Sequence, residues 1–147
     1  MEFNAADFNT PYEIVKEVKG NYQRTRTNPR ETLSGVIRIE KLRAFMEALN
    51  ELAEKKNVQS VKIYLFREKL GDLKIYTKAD NMGVPPTDAD FEKGPKGYTQ
   101  MSFLIIPHDD WNGMGSDVLN DDGETILVLR PGGETTGLCP PKCGGTN

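Results

Sequence analysis

Apolar positions recur at three and four residues in two places along the chain. Tyr12, Val15, Val18 and Tyr22 form the first set, after a Thr10-Pro11 start suited to opening a helix. That spacing predicts a helix to about Arg26, weakened at Gly20 and closed by Asn28-Pro29. Leu42, Phe45, Met46, Leu49, Leu52 and Ala53 form the second and stronger set, with Glu40, Lys41, Arg43, Glu47, Glu51, Glu54 and Lys55 on the outer face.

Between the two, Ser34-Gly35 punctuates a short extended segment at Val36 and Ile37. Past Asn57 the period changes from helical to extended. Val61, Ile63 and Leu65 fall on one face of a strand and Lys62, Tyr64 and Phe66 on the other. Leu73, Ile75 and Thr77 suggest its antiparallel partner, turned through Lys69-Leu70-Gly71-Asp72. Residues 79–98 are rich in glycine and proline and read as one long loop, a length that suggests a functional or disordered segment. Met101 to Ile106 and Thr125 to Leu129 are near-continuous apolar runs, separated by the turn signal Asn120-Asp121-Asp122-Gly123.

The pattern predicts an α+β fold: a mainly antiparallel sheet of about four strands, with the two N-terminal helices packed on one face. Residues 1–130 form one domain and residues 131–147 a Gly/Pro/Cys-rich C-terminal tail. Strands that are apolar without alternation are buried on both sides. The helices cover one side, so the long loop, the tail or a second copy of the protein must cover the other.

Composition changes this picture little. The chain has 147 residues, 37% hydrophobic and 28% charged, which is the profile of a globular domain large enough for its own core. No window is apolar enough to span a membrane, and the start Met1-Glu2-Phe3-Asn4 lacks a signal-peptide layout, so a cytoplasmic protein is expected. Charge is uneven. Residues 1–80 carry 15 basic and 12 acidic side chains and residues 81–147 carry 4 and 10, so the halves attract. The basic stretch Lys16, Lys19, Arg24, Arg26 and Arg30 reads as a solvated helix face. It has no nucleic-acid motif with it, and the acidic excess from Asp109 to Glu134 argues further against a nucleic-acid partner.

Candidate chemistry is sparse. Cys139-Pro140-Pro141-Lys142-Cys143 is the most specific local feature. Two cysteines and the single His108 lack zinc-ribbon spacing, although Cys139, Cys143, His108 and Asp109 or Asp110 could supply four zinc ligands if they met. A disulfide between Cys139 and Cys143 is the rival. In polyproline geometry their α-carbons stand about 12 Å apart, beyond the roughly 7 Å that a disulfide spans, so the chain must turn for either. The third reading leaves two reduced thiols, as the cytosol favours. His108 beside Asp109 and Asp110, with Ser116 nearby, has the residue types of a base, an orienting acid and a nucleophile, but no catalytic signature surrounds them. The acids from Asp117 to Glu124 miss calcium-loop positions, and the glycines form no phosphate fingerprint.

The order of elements, with Ser34-Gly35-Val36-Ile37 entering a Leu-rich helix, the strand Val61-Lys62-Ile63-Tyr64-Leu65-Phe66 and the final Cys-Pro-Pro-Lys-Cys, resembles small uncharacterised bacterial proteins with a C-terminal Cys-Pro-Pro-x-Cys tail. The resemblance implies an α+β architecture and a pairing of Cys139 with Cys143; it brings no activity or cofactor. The expected function is therefore a non-enzymatic interaction or assembly protein that self-associates through an apolar sheet face and the tail, with Tyr64, Phe66, Pro140 and Pro141 at the contact. The alternatives are a metal-binding regulator or enzyme built on the cysteines and His108, and a folded carrier of a modified Cys-rich tail.

Overall fold

The computed structural model describes residues 2–76, 85–112, 114–132, 136–141 and 143. Helix α1 spans Tyr12–Thr25 and helix α2 spans Ile39–Lys55. Four strands follow the chain as β1 (Ser34–Gly35), β2 (Ser60–Phe66), β3 (Ser102–His108) and β4 (Leu138–Cys139). They form two small antiparallel sheets, β2 with β3 and β1 with β4, in place of the expected four-stranded sheet.

Three corrections explain the difference. The partner of β2 is β3, from Ser60 opposite His108 to Phe66 opposite Ser102. Leu73 and Ile75 form no strand, because the buried Glu68 carboxylate takes up the backbone N–H groups of Lys74, Ile75 (2.8 Å) and Tyr76 (3.2 Å) that a ladder would need. Thr77, residues 79–84 of the long loop and Lys142 lie outside the described residues. The run Thr125 to Leu129 touches the sheet only where Leu129 and Ile105 exchange backbone hydrogen bonds of 2.9 and 2.7 Å.

The helices also differ from expectation. Helix α1 buries none of its residues, and Thr10 does not cap it; Pro11 occupies the cap position. It is held at its C-terminal end, where the Tyr22 hydroxyl donates to the Thr32 carbonyl (3.1 Å) and Arg26 to that of Glu31 (2.7 Å). Helix α2 does pack. Its Phe45 and Leu49 meet Leu129, with Ile37, Val58, Ile105 and Leu127 around them. Paired residues of an antiparallel ladder share a face, so α2 covers the face of Ile63 and Ile105.

A second cluster closes the opposite face at the Phe66 end. Tyr76, Phe91 and Leu138 are buried there against Phe66 and Leu73, and the Tyr76 hydroxyl bonds Ser102 at 2.8 Å. The side expected to need outside cover is thus shielded at that end by the chain's own loop and tail. The tail itself is folded in: Leu33 donates to the Cys139 carbonyl (2.7 Å), and Val36 to that of Gly137 (2.8 Å). Gly137 has φ of +75°, and a side chain there would meet the Gly132 nitrogen and the Val36 carbonyl within 3 Å, so this crossing requires glycine.

Leu129, 1% exposed, joins α2 to β3. Leu129→Ala is expected to cost about 2–5 kcal/mol, read as a lower denaturation midpoint; a change within 0.5 kcal/mol would show that Leu129 is not central to this core.

Candidate interaction surface

An interaction surface needs side chains left over after the core is closed, and β2 supplies them. Helix α2 lies off-centre on its sheet. Lys41 donates to the Arg130 carbonyl (2.9 Å), Lys55 pairs with Asp121 (3.4 Å), and Ala48 and Leu52 border one cleft with Leu127. That flank of α2 therefore faces the 119–130 segment, which meets β3 on the edge away from β2. At about 3.6 residues per turn, Leu42 and Met46 fall on the other flank, toward β2.

The consequence is an apolar ledge. Ile63 and Leu65 on β2 are 61% and 66% exposed, with Val61 beside them and Leu42, Met46 and Ile39 exposed on α2. These β2 residues lie on the helix-covered face, where alternation placed them, but the helix stops short of them. Tyr64 and Phe66, expected at a contact, lie on the other face and are half-buried. The Tyr64 hydroxyl donates to Asp117 (3.2 Å), and the Phe66 ring stacks 6.2 Å from Tyr76.

A polar cluster fixes the molecule at the start of β3. Gln100, 1% exposed, donates to Thr32 Oγ1 (3.1 Å) and the Pro140 carbonyl (2.6 Å) and accepts from the Glu92 amide (2.8 Å). Next to it the Glu31 carboxylate accepts from Arg67 (2.7 Å), the Met101 amide (3.0 Å) and the Thr32 amide (3.1 Å), while the Thr32 hydroxyl bonds the Met101 carbonyl. Burial pushes the Glu31 carboxyl up, but the hydrogen bonds from Arg67, Met101 and Thr32 and the Arg67 charge outweigh it and hold it below the ordinary value of 4.5.

The chemical candidates do not come together. Pro140 sits beside Gln100 at the Ser102 end of β3, whereas His108 closes the other end, about 20 Å away for a strand of this length. Cys139, Cys143 and His108 are thus too far apart to share one ion. Cys139 and Cys143 form a disulfide with α-carbons 4.8 Å apart, and the two proline peptides between them are cis, so the chain turns and does not run as polyproline. This bond and the expected cytoplasmic setting pull in opposite directions, since the cytosol reduces such bonds. Cys139 is buried in β4, Pro140 is half-buried, and Pro141 and Cys143 are exposed.

His108 is buried, its Nδ1 within 2.9 Å of the Asp110 carbonyl and 3.3 Å of the Asp110 amide. Its Nε2 has no partner among the described residues. The Asp109 carboxylate accepts from the Ser116 amide (2.7 Å) and that of Asp110 from the Asn112 amide (3.1 Å), so neither orients the imidazole as a catalytic acid would. Asp122 is spent on its own turn. Hydrogen bonds from the Thr125 and Glu124 amides and the Thr125 hydroxyl hold it below the usual carboxylate range. Among the described residues no cluster of histidine, cysteine and carboxylate could hold a metal ion, and no helix is long and apolar enough to cross a membrane.

Comparison with protein-family models, with curated proteins and with solved structures returned no match.

Two outcomes follow from the cluster and the tail. Because the Glu31 carboxyl is depressed in the fold, its stabilising effect is complete above about 4.5 and is lost as the pH falls through the lower folded value. Glu31→Gln should cost about 1–3 kcal/mol at neutral pH and flatten the acid limb of a denaturation-against-pH curve; an unchanged limb would refute the role. Thiol alkylation followed by mass measurement should find no free cysteine until reductant is added, and reduction should lower stability by roughly 2 kcal/mol for so short a loop.

Proposed function

We propose that this protein is a non-enzymatic interaction or assembly protein whose contact with another protein chain is the ledge of Leu42, Met46, Val61, Ile63 and Leu65. The observation that carries this reading is the placement of α2. The helix covers β3 and leaves the same-face apolar residues of β2 in water, although β2 is continuous with the core. Isolated exposed apolar residues are ordinary; a run of three on one strand face, flanked by apolar residues of the neighbouring helix, has the character of an interface. The tail supports the surface from behind, as the brace that closes the Tyr76 cluster through Leu138.

The two chemical alternatives gain no comparable support. Zinc held by Cys139 and Cys143 requires the disulfide to be reduced first, and a modified tail would have to leave its pairing with β1.

Sedimentation of the full chain is expected to give a mass above the monomer, rising with concentration. Met46→Glu should weaken that association at least tenfold with the far-UV circular dichroism unchanged, because Met46 contributes nothing to the buried stripe of α2. A monomer at every concentration overturns self-association.

A further inference from the structure

This inference rests on the reading just given and names the partner and how it seats. Among the described residues β2 is hydrogen-bonded on one side only, to β3, and no backbone group from Val61 to Leu65 has a partner on the other side. Natural edge strands are usually blunted by proline, a bulge or several charges. Val61-Lys62-Ile63-Tyr64-Leu65-Phe66 has neither proline nor glycine, runs in unbroken register with β3, and carries Lys62 as its one charge.

We propose that a second copy of this chain pairs with this edge, β2 against β2 in antiparallel register about a two-fold axis through Ile63. The strand is self-complementary there. Ile63 meets Ile63 of the partner subunit, Val61 meets the partner's Leu65, and Lys62 meets the partner's Tyr64. Lys62 already lies 5.1 Å from the centre of its own Tyr64 ring, so the ammonium keeps an aromatic environment on both sides. Moving the axis to Lys62 would oppose two ammonium groups, which destabilises a ladder. Moving it to Tyr64 would set Val61 against the partner's Arg67, a residue already committed to Glu31.

An axis perpendicular to the sheet keeps both α2 helices on one layer, so the Leu42 and Met46 flanks face each other across it. Ile39, Leu42, Met46, Val61, Ile63 and Leu65 are about half exposed on average. They offer on the order of 500 Å² per copy, and roughly 1,000 Å² in the pair lies at the smaller end of specific interfaces, before the new backbone hydrogen bonds are added. The product is a dissociable dimer with one continuous four-stranded sheet.

Cysteine cross-linking of the full-length protein tests the register, since the two native cysteines are bonded to each other. Ile63→Cys should form a reductant-sensitive dimer on mild oxidation. Val61→Cys and Leu65→Cys should each remain monomeric under denaturing electrophoresis but cross-link when mixed, and circular dichroism verifies that each variant is folded. Ile63→Lys should weaken the dimer at least tenfold, and Leu65→Lys provides the same readout at a second exposed position. A wild-type protein that is monomeric at high concentration overturns both this inference and the reading beneath it. A wild-type dimer in which Ile63→Cys fails to cross-link, or in which Val61→Cys cross-links alone, overturns the edge pairing while leaving the ledge as the contact.

Discussion

Gln100 joins three distant parts of the chain through one side-chain amide: the Thr32 hydroxyl before β1, the Pro140 carbonyl after β4, and the Glu92 amide in the segment that leads to β3. With Glu31 and Arg67 alongside, it forms a polar core where two small sheets meet that are too short to hold each other by ladder bonds alone. Burial makes this arrangement obligatory. A donor left unpaired inside the protein costs about 1–3 kcal/mol, so each segment is held in place by the penalty for leaving it. The Tyr76 cluster packs directly beyond this point through Ser102, and the Pro140 carbonyl adds the Gln100 bond to the pairing of β4 with β1 that holds the tail there.

The helices and β2 were legible in the sequence because each has a regular period, as with Phe45, Leu49 and Leu52 at helical spacing and seven residues in alternation from Ser60 to Phe66, and β3 because it is a near-continuous apolar run. What could not be read was where those faces would go. Helix α1 has the apolar stripe of a packed helix, yet its partner surface is not supplied by the described residues, and periodicity carries no information about supply. The predicted strand at Leu73 and Ile75 failed for a local reason: one buried carboxylate, Glu68, claims three successive amides. Glu31, Glu68 and Gln100 are polar residues in irregular segments, which sequence pattern treats as surface. Their hydrogen-bond partners make them structural, local ones for Glu68 and long-range ones for Glu31 and Gln100. The cysteine pair was visible as a pair, but the turn between its members was not, since an extended proline segment would have kept them apart.

A helix is about as wide as a two-stranded sheet, so it covers the whole of such a face only when it sits centrally. The helix here is drawn toward the 119–130 segment by Lys41 and Lys55, which leaves the β2 margin uncovered. Stability and exposure thus have one cause: the contacts that lock α2 over Leu129 are those that withdraw it from Ile63 and Leu65. Placing the helix centrally would cover the strand and give up the polar contacts on the far side.

The pairing of Ser34 with Cys139 joins positions more than a hundred residues apart. During synthesis β1 emerges long before β4, the strand that receives it, and the Gln100 side chain lacks its Pro140 acceptor until that residue has followed. A chain cut before Leu138 lacks both the β4 partner of β1 and the Pro140 carbonyl. Closure of this interior therefore waits on a contact between positions far apart in sequence, and such long-range contacts are slow to form.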